Sequence, residues 1–280
     1  MKLFKLVVDL ISTGTSKSNF YRNMNTTLKR LNGEYTMLHY PMEGKENQSF
    51  IEGQKNLTDF CISLLGDLKG KDLLEIGCGN GVQAKYIKES GGLKFVTGID
   101  LDEASIEIAN MQQKQKNIKD MLFVVDDAQV LGSIDTASMD IVVSIESAFH
   151  YPDKDAFLKQ VARVLKPGGK FLVADLLTTK RTKGVGVRKF WKGKMVLHHW
   201  NLNRYLERFD ESLLNVEDTV DITDRVMKGF KGYGKWISNI EKVGPIHDFF
   251  YRIFYIINAE WILYLFRRRR RYLVFVGNRT

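Results

Sequence analysis

Cysteine is scarce in this chain. Only Cys61 and Cys78 occur among 280 residues; they make no metal-ligand spacing, and two alone are no disulfide framework, so a reducing cytoplasm is expected. Proline is almost as rare, with four residues and none adjacent. There is no low-complexity tract and no internal repeat. An uninterrupted apolar run is missing too. The stretch Phe249–Phe266 has the length of a membrane span, but Arg252, Asn258 and Glu260 interrupt it, and each is costly in hydrocarbon. No transmembrane helix is predicted. The opening "MKLFKLVVDLI" places Lys2 and Lys5 before apolar residues, but Asp9 breaks the stretch and no small-residue cleavage pattern follows, so it reads as a mature N-terminal segment. Acidic residues are outnumbered, giving a net charge of +9, part of which sits in one run, Arg267–Arg271.

What is present is a regular alternation. Apolar spacing within Ile51–Leu68 puts Leu57, Phe60, Cys61, Leu64 and Leu65 on one helical face. Strands are predicted at Asp72–Ile76, Phe95–Asp100, Met121–Val125, Met139–Ile145 and Lys170–Leu176, with helices at Val82–Ser90, Glu103–Lys116 and Lys154–Leu165. Strands alternating with helices mean βαβ units and a doubly wound, mostly parallel sheet of α/β class. "KPGG" (Lys166–Gly169) reads as a turn between helix and strand. Beyond Asp175 the pattern loosens. A basic, glycine-rich stretch Lys180–Lys194 precedes a helix near Trp200–Phe209 and a strand near Leu214–Ile222, and "RYLVFVGN" supplies the last of seven strands. The expected division is a cap segment at 1–55, a Rossmann-like core at 56–222, a helical lid insertion at 223–268 and the final core strand at 269–280.

The most specific signal is "LLEIGCGNG" (Leu73–Gly81). Gly77, Gly79 and Gly81 follow a strand and open a helix, where a parallel α/β sheet binds ligands. Two details decide which ligand. The dinucleotide fingerprint G-x-G-x-x-G/A needs a small residue at position 82, where Val82 stands. Glu75 lies just before the loop, and a carboxylate repels a pyrophosphate but attracts a sulfonium and an amino group. A cationic, phosphate-free nucleoside, S-adenosylmethionine, is expected. Asp100, ending the second strand in "VTGIDLD", is placed to accept from ribose hydroxyls, and Asp127 with Ala128, after the third strand, to meet an adenine. Cys78, Leu101 and Ile145 complete the expected cofactor set. Each lone aspartate has a plainer explanation as a helix cap or turn former. Three acids at the ends of successive strands beside a glycine loop are hard to explain that way.

"LLEIGCGNG", "VTGIDLD", "VVDDA" and "RVLKPGGKFLVAD" together resemble the class I S-adenosylmethionine-dependent methyltransferases over roughly residues 57 to 178. The resemblance implies the cofactor more strongly than the acceptor. Many members that methylate base amines or glutamine carry N/D-P-P-Y/F after the fourth strand. This chain reads "SIESAFHYPDK" (Ser144–Lys154) instead, which resembles the small-molecule and lipid branch, including natural-product sugar O-methyltransferases and phthiotriol-type lipid O-methyltransferases. In that branch an E-S/A-x-x-H stretch occupies this place. The resemblance implies His150 as general base, assisted by Asp175 at the end of strand five. Glu146 and Tyr151 are further candidates for the catalytic set. His150 as a mere loop cap, and Tyr151–Pro152 as a chain reversal, are the plain alternatives.

Methyl transfer from a sulfonium destroys charge, so excluding water and aligning the acceptor contribute much of the acceleration. The expected function is methylation of a hydroxyl on a lipophilic lipid, polyketide or terpenoid. The rivals are C-methylation of a prenylated ring or terpenoid, RNA methylation, and a non-catalytic membrane-peripheral protein. No nucleic-acid partner and no metal are expected; His198 and His199 lack a third ligand at metal spacing and read as helix surface. The aromatic and aliphatic residues of Phe249–Phe266, followed by the arginines, also suit peripheral membrane contact through Phe249–Arg271. The arginine run could equally suit nucleic acid, and the plain alternative is the solvated end of a lid helix.

Overall fold

The apolar runs become the strands of one seven-stranded sheet because a parallel strand covered on both faces must be apolar throughout. In the computed structural model, which describes residues 17–46, 48–179, 197–231 and 260–280, β1 (Asp72–Ile76), β2 (Phe95–Asp100), β3 (Met121–Val125), β4 (Met139–Ile145), β5 (Leu165–Thr178), β6 (Leu214–Asp221) and β7 (Arg270–Arg279) lie in the order β3-β2-β1-β4-β5-β7-β6. Strands β1 to β5 are parallel, whereas β7 enters antiparallel between β5 and β6. The sheet has the expected class and strand number.

The helices are α1 (Lys17–Asn32), α2 (Phe50–Ser63), α3 (Val82–Gly91), α4 (Glu103–Gln115), α5 (Lys154–Val164), α6 (Leu202–Asp210) and α7 (Thr223–Lys231). Right-handed crossovers put α3 and α4 on one face, because β1 to β3 run outward in one direction. The order reverses between β1 and β4, so α5 lands on the other face. The two cores follow this division. Leu57, Cys61, Ile87, Ile106 and Val226 pack with one set of strand side chains, and Phe157, Leu158, Val161, Tyr205 and Phe209 with the other. The reversal opens a crevice at the carboxyl ends of β1 and β4, the place where such sheets bind ligands.

Three local expectations are corrected. "KPGG" is no separate turn: β5 begins at Leu165, which pairs with Met139, and the next pair is Ile141 with Lys170. Five residues of β5 therefore span two of β4, and Gly168 absorbs the bulge at φ +73°. The N-terminal segment, expected only as a cap, includes the 16-residue α1. His198 and His199 lie in a segment without regular structure before α6, half-buried, and not on a helix surface. Of the expected lid at 223–268, residues 232–259 lie outside the described residues. Its first part, α7, buries Thr223, Val226 and Phe230.

Candidate active site

The glycine loop bends because its neighbours leave no room for side chains. Gly77, at φ +77°, would bring a Cβ within 2.3 Å of the Ser147 Cβ. Its N–H and that of Cys78 both donate to the Ile99 carbonyl, at 2.8 and 2.9 Å. The Asp100 carboxylate stands behind the loop, accepting the Gly79 N–H at 2.8 Å and the Asp102 N–H at 2.9 Å. Burial pushes its titration up, and those N–H groups oppose the shift. Asp102 caps α4 through Ser105. Thus the end of β2 positions both the loop and the next helix.

A cavity of about 480 Å³ opens over this loop. Of the expected cofactor residues, Gly77, Cys78, Gly79, Asp100, Leu101, Asp127, Ala128 and Ile145 line it. Asp127 also accepts the Gln129 N–H at 2.9 Å, so it forms a turn as well as a wall. Leu101 is 65% exposed, an apolar side chain left uncovered at the cavity rim. Cys78 is a free, buried thiol held protonated by burial. Glu75 and Gly81 do not reach the cavity. Gly81 is needed for packing, since a Cβ there would lie 2.7 Å from the Ala109 Cβ and 2.8 Å from the Phe123 ring. Glu75 lies beneath the loop, 1% exposed, and its Oε2 has no hydrogen-bond partner among the described residues. Burial, reinforced by Asp100, pushes its titration up to about 8.

The proposed acceptor residues come from the other strand at the crevice. After β4 the chain makes a turn of 3₁₀ helix, Ala148–His150. His150 and Tyr151 line the cavity, and so does Glu146. His150 Nε2 and the Tyr21 hydroxyl are hydrogen-bonded at 2.5 Å. The Tyr151 hydroxyl donates to Ser147 Oγ at 2.9 Å, and Ser147 Oγ donates to the Ile76 carbonyl at 3.0 Å. This chain ties the acceptor turn to the end of β1. Glu146 is a non-glycine residue at φ +53°, a strained conformation that persists only where its surroundings enforce it. Its N–H donates to the Ala174 carbonyl at 2.9 Å, and Oε1 accepts the Tyr40 N–H at 2.7 Å. Burial pushes its titration up to about 8 against the opposing effect of that N–H. Asp175 stands apart from the cavity, fully buried, accepting the Tyr205 hydroxyl at 2.5 Å.

Several lining residues gave no local signal in the sequence. Tyr21 on α1, together with Met37, Leu38 and His39, closes the cavity from the N-terminal side. His39 donates from Nδ1 to the Tyr40 carbonyl at 2.9 Å, and burial lowers its titration to about 4, so it is neutral. Asn80 was within the glycine motif and readable there. It donates to Asn25 Oδ1 at 2.7 Å and to the Thr36 carbonyl at 2.8 Å, docking the N-terminal segment onto the loop.

The charge of the wall tests the expected cofactor. Asp100, Asp102, Asp126, Asp127 and Glu146 line it, and among the described residues no lysine or arginine does. An acidic wall with no cation repels a pyrophosphate and suits a cationic nucleoside. The unpartnered Glu75 Oε2 beneath the loop and the glycine cradle fit the same ligand. S-adenosylmethionine fits these residues: Asp100, Asp127 and Ala128 would hold its nucleoside and Gly77 to Gly79 its amino-acid portion, with Glu75 beneath the loop.

Comparison with known proteins agrees with this chemistry. Residues 74–173 match the methyltransferase domain family. The 27-O-demethylrifamycin SV methyltransferase of Amycolatopsis mediterranei is 32% identical over 192 residues, 66% of this chain and 69% of that protein. The phthiotriol/phenolphthiotriol dimycocerosates methyltransferase of Mycobacterium tuberculosis is 39% identical over 110 residues, a match covering 39% of each chain. Among solved structures, geranyl diphosphate C-methyltransferase from Streptomyces coelicolor A3(2) shares the fold at TM-score 0.72 and 16% identity, over 96% of this chain and 98% of that one. An acid-walled glycine cradle at the sheet's reversal point and a relative matched across most of its length lead to one conclusion: this chain belongs to the S-adenosylmethionine-dependent methyltransferases.

Proposed function

We propose that the enzyme methylates a hydroxyl group of a lipophilic small molecule, a lipid, polyketide or terpenoid, with His150 as general base. The observation that carries this reading is the pair of His150 Nε2 and the Tyr21 hydroxyl, 2.5 Å apart at the wall of the acid-lined cavity. An imidazole nitrogen presented to one hydroxyl is suited to receive another. Burial pushes the Tyr21 titration up, so the phenol keeps its proton and serves as a hydrogen-bond partner, not as a base.

When bound, S-adenosylmethionine supplies an electrophilic methyl group on a sulfonium. The chain's own residues supply the rest. Met37, Leu38 and Ile145 give the cavity apolar surface, which excludes water and suits an apolar acceptor. His150 takes the hydroxyl proton, a contribution of about 10²–10⁴-fold for a positioned base. Tyr151 braces the turn through Ser147. Glu146 holds Tyr40, and with it the N-terminal segment, against the sheet. The described part of the N-terminal segment then acts as a cap of the site through Tyr21, Met37, Leu38 and His39. The acceptor class also draws on the relatives, whose names specify a rifamycin and a phthiotriol lipid.

The reading extends to the surface. Trp261 and Tyr264 are exposed and stacked at 5.6 Å, and Arg267, Arg268 and Arg269 follow on the same exposed helical stretch. Aromatic rings beside arginines suit the interface of an anionic bilayer. Among the described residues no helix is long and apolar enough to cross a membrane. Flotation with anionic vesicles at low salt tests the contact, and protein left in the dense fraction would remove it.

Turnover is tested with methyl-labelled cofactor and a panel comprising a long-chain diol, a hydroxy fatty acid and a terpenoid alcohol. His150→Ala is expected to lower turnover at least tenfold while cofactor affinity stays within twofold. Unchanged turnover would sink the base assignment, and label entering carbon instead of oxygen would turn the reading to C-methylation.

A further inference from the structure

The His150 imidazole has an aromatic neighbour besides Tyr21. The Phe149 ring lies 4.3 Å from it, tilted by 48°. Phe149 in turn stacks on His199, at 5.7 Å and 22°, a separation and tilt typical of offset ring pairs. The His199 ring is itself anchored, its Nδ1 donating to the Leu176 carbonyl of β5 at 2.6 Å. Burial, reinforced by the Arg270 charge, lowers its titration to about 3, so the ring is neutral. A neutral imidazole that donates from Nδ1 has a bare Nε2, and that atom is buried with no hydrogen-bond partner among the described residues. A buried acceptor left unsatisfied is a cost that a leucine would not carry. A side chain that must both stack on Phe149 and reach the Leu176 carbonyl accounts for it, because an imidazole joins a flat face to an N–H.

The segment 197–200 that carries this ring is fixed to three elements. The His198 N–H donates to the Phe149 carbonyl on the acceptor turn at 2.7 Å. The buried Lys154, first residue of α5, donates from Nζ to the His198 carbonyl. The Thr178 N–H, at the end of β5, donates to the Trp200 carbonyl at 2.9 Å. The buried Trp200 ring then packs edge-on against Tyr205 of α6 at 5.2 Å. His199 does not line the cavity. It stands behind the turn that does, on a segment too short to satisfy its backbone groups within itself and so held from outside.

We propose that His199 is a positioning residue for His150: anchored to β5, its ring holds the Phe149 ring, and the Phe149 ring sets the orientation of the adjacent imidazole. The inference rests on the reading of His150 as the base. In that reading an acceptor hydroxyl takes the place of the Tyr21 hydroxyl on Nε2, and Tyr21 then no longer orients the imidazole through that bond. The Phe149 contact is ring packing and needs no hydrogen bond, so it stays in place while the acceptor is bound.

Two variants of the full-length enzyme separate the two jobs of His199. His199→Phe keeps a ring and loses the bond to Leu176, whereas His199→Asn keeps a donor for that bond and loses the ring. With methyl-labelled cofactor and the acceptor that turns over, kcat should stay within fivefold of the wild type in His199→Phe. It should fall at least tenfold in His199→Asn, with KM for the cofactor within twofold in both. In proton NMR with S-adenosylhomocysteine bound, the His150 Cε1–H signal should keep its position in His199→Phe and move or broaden in His199→Asn. Hydrogen exchange at the His198 amide should stay within threefold in both. Wild-type turnover in His199→Asn, or an equal loss in the two variants, would overturn the proposal. So would exchange at the His198 amide at least tenfold faster in His199→Asn, since detachment of the segment would then be the cause. Phe149→Leu removes the ring pair from its other end and keeps the test open should His199→Asn not fold. It should lower kcat as much as His199→Asn does, and the two substitutions together should cost no more than either alone; additive losses would also overturn the proposal. Wild-type turnover in His150→Ala would remove the base reading while leaving the NMR result standing, so the two failures are distinguishable.

Discussion

The two sides of the crevice are built differently. The cofactor side, at the ends of β1, β2 and β3, is local: the glycine loop, Asp100 and Asp127 each sit within a few residues of a strand end and bond to their own neighbours. The acceptor side is assembled from distant pieces. Tyr21 reaches His150 across 129 residues and Tyr40 reaches Glu146 across 106, while the segment 197–200 returns to hold the Phe149 carbonyl through His198. A local site follows from strand-turn-helix geometry wherever the motif occurs. An assembled site depends on contacts between distant segments, so it is harder to read from any one stretch of sequence.

The largest expected effect comes at Gly77, where the two sides touch. Gly77→Ala adds a Cβ 2.3 Å from the Ser147 Cβ at φ +77°; backbone strain alone costs about 1–3 kcal/mol. A calorimetric titration should show S-adenosylhomocysteine binding weakened at least a hundredfold, and affinity within threefold of the wild type would break the assignment of this loop. Asp100→Asn separates the sides more cleanly. It weakens two hydrogen bonds to a charged acceptor, each worth about 1.5–3 kcal/mol. Cofactor affinity should fall about tenfold or more, with kcat at saturating cofactor within threefold; an equal loss in both would mean the two sides are not separable. Tyr21→Phe tests the opposite side. Turnover should fall three- to tenfold while cofactor affinity changes less than twofold, and the reverse pattern would assign Tyr21 to the cofactor.

The smallest effect is a pH slope. Glu75 and Glu146 hold their protons up to about 8 in the folded, ligand-free chain, against an ordinary value of 4.5. Their contribution to stability is fully present below about 4.5 and is lost as pH rises through about 8, because the unfolded chain releases those protons first. Melting temperature should therefore fall between about pH 4.5 and 8. Glu75→Gln, which stays neutral, should flatten the slope, and a slope of unchanged size would show that Glu75 does not titrate there. Binding of a cation above Glu75 should favour the charged carboxylate, so cofactor affinity should rise over the same range.

The acceptor turn also shows how far pattern carries. "ESAFH" placed His150 at the correct strand end, and the structure puts it in the cavity beside the acids. Nothing in those five residues indicated Tyr21 as its partner. Asp175 reads from the sequence as an acid at a strand end, the same signal as Asp100. Alternation then separates them: Asp175 points to the face packed with Tyr205 and Phe209, away from the crevice. Lys154 looked like any lysine opening a helix, and only the fold of 197–200 over it made it a buried charge.

Sequence by itself determined the parallel sheet, the glycine loop and the acids at the strand ends, because these depend on period, on glycine's conformational freedom and on charge within a few residues. It also determined the nature of the cofactor, since Glu75 and Val82 decide against a pyrophosphate locally. Tertiary structure alone decided which residues line the cavity: its closing by Tyr21, Met37, Leu38 and His39, the retreat of Asp175 into the core, and the hold of His198 on the Phe149 carbonyl. Those contacts join segments far apart in the chain or turn on which face of a strand is covered. Neither follows from a residue's immediate neighbours in the chain.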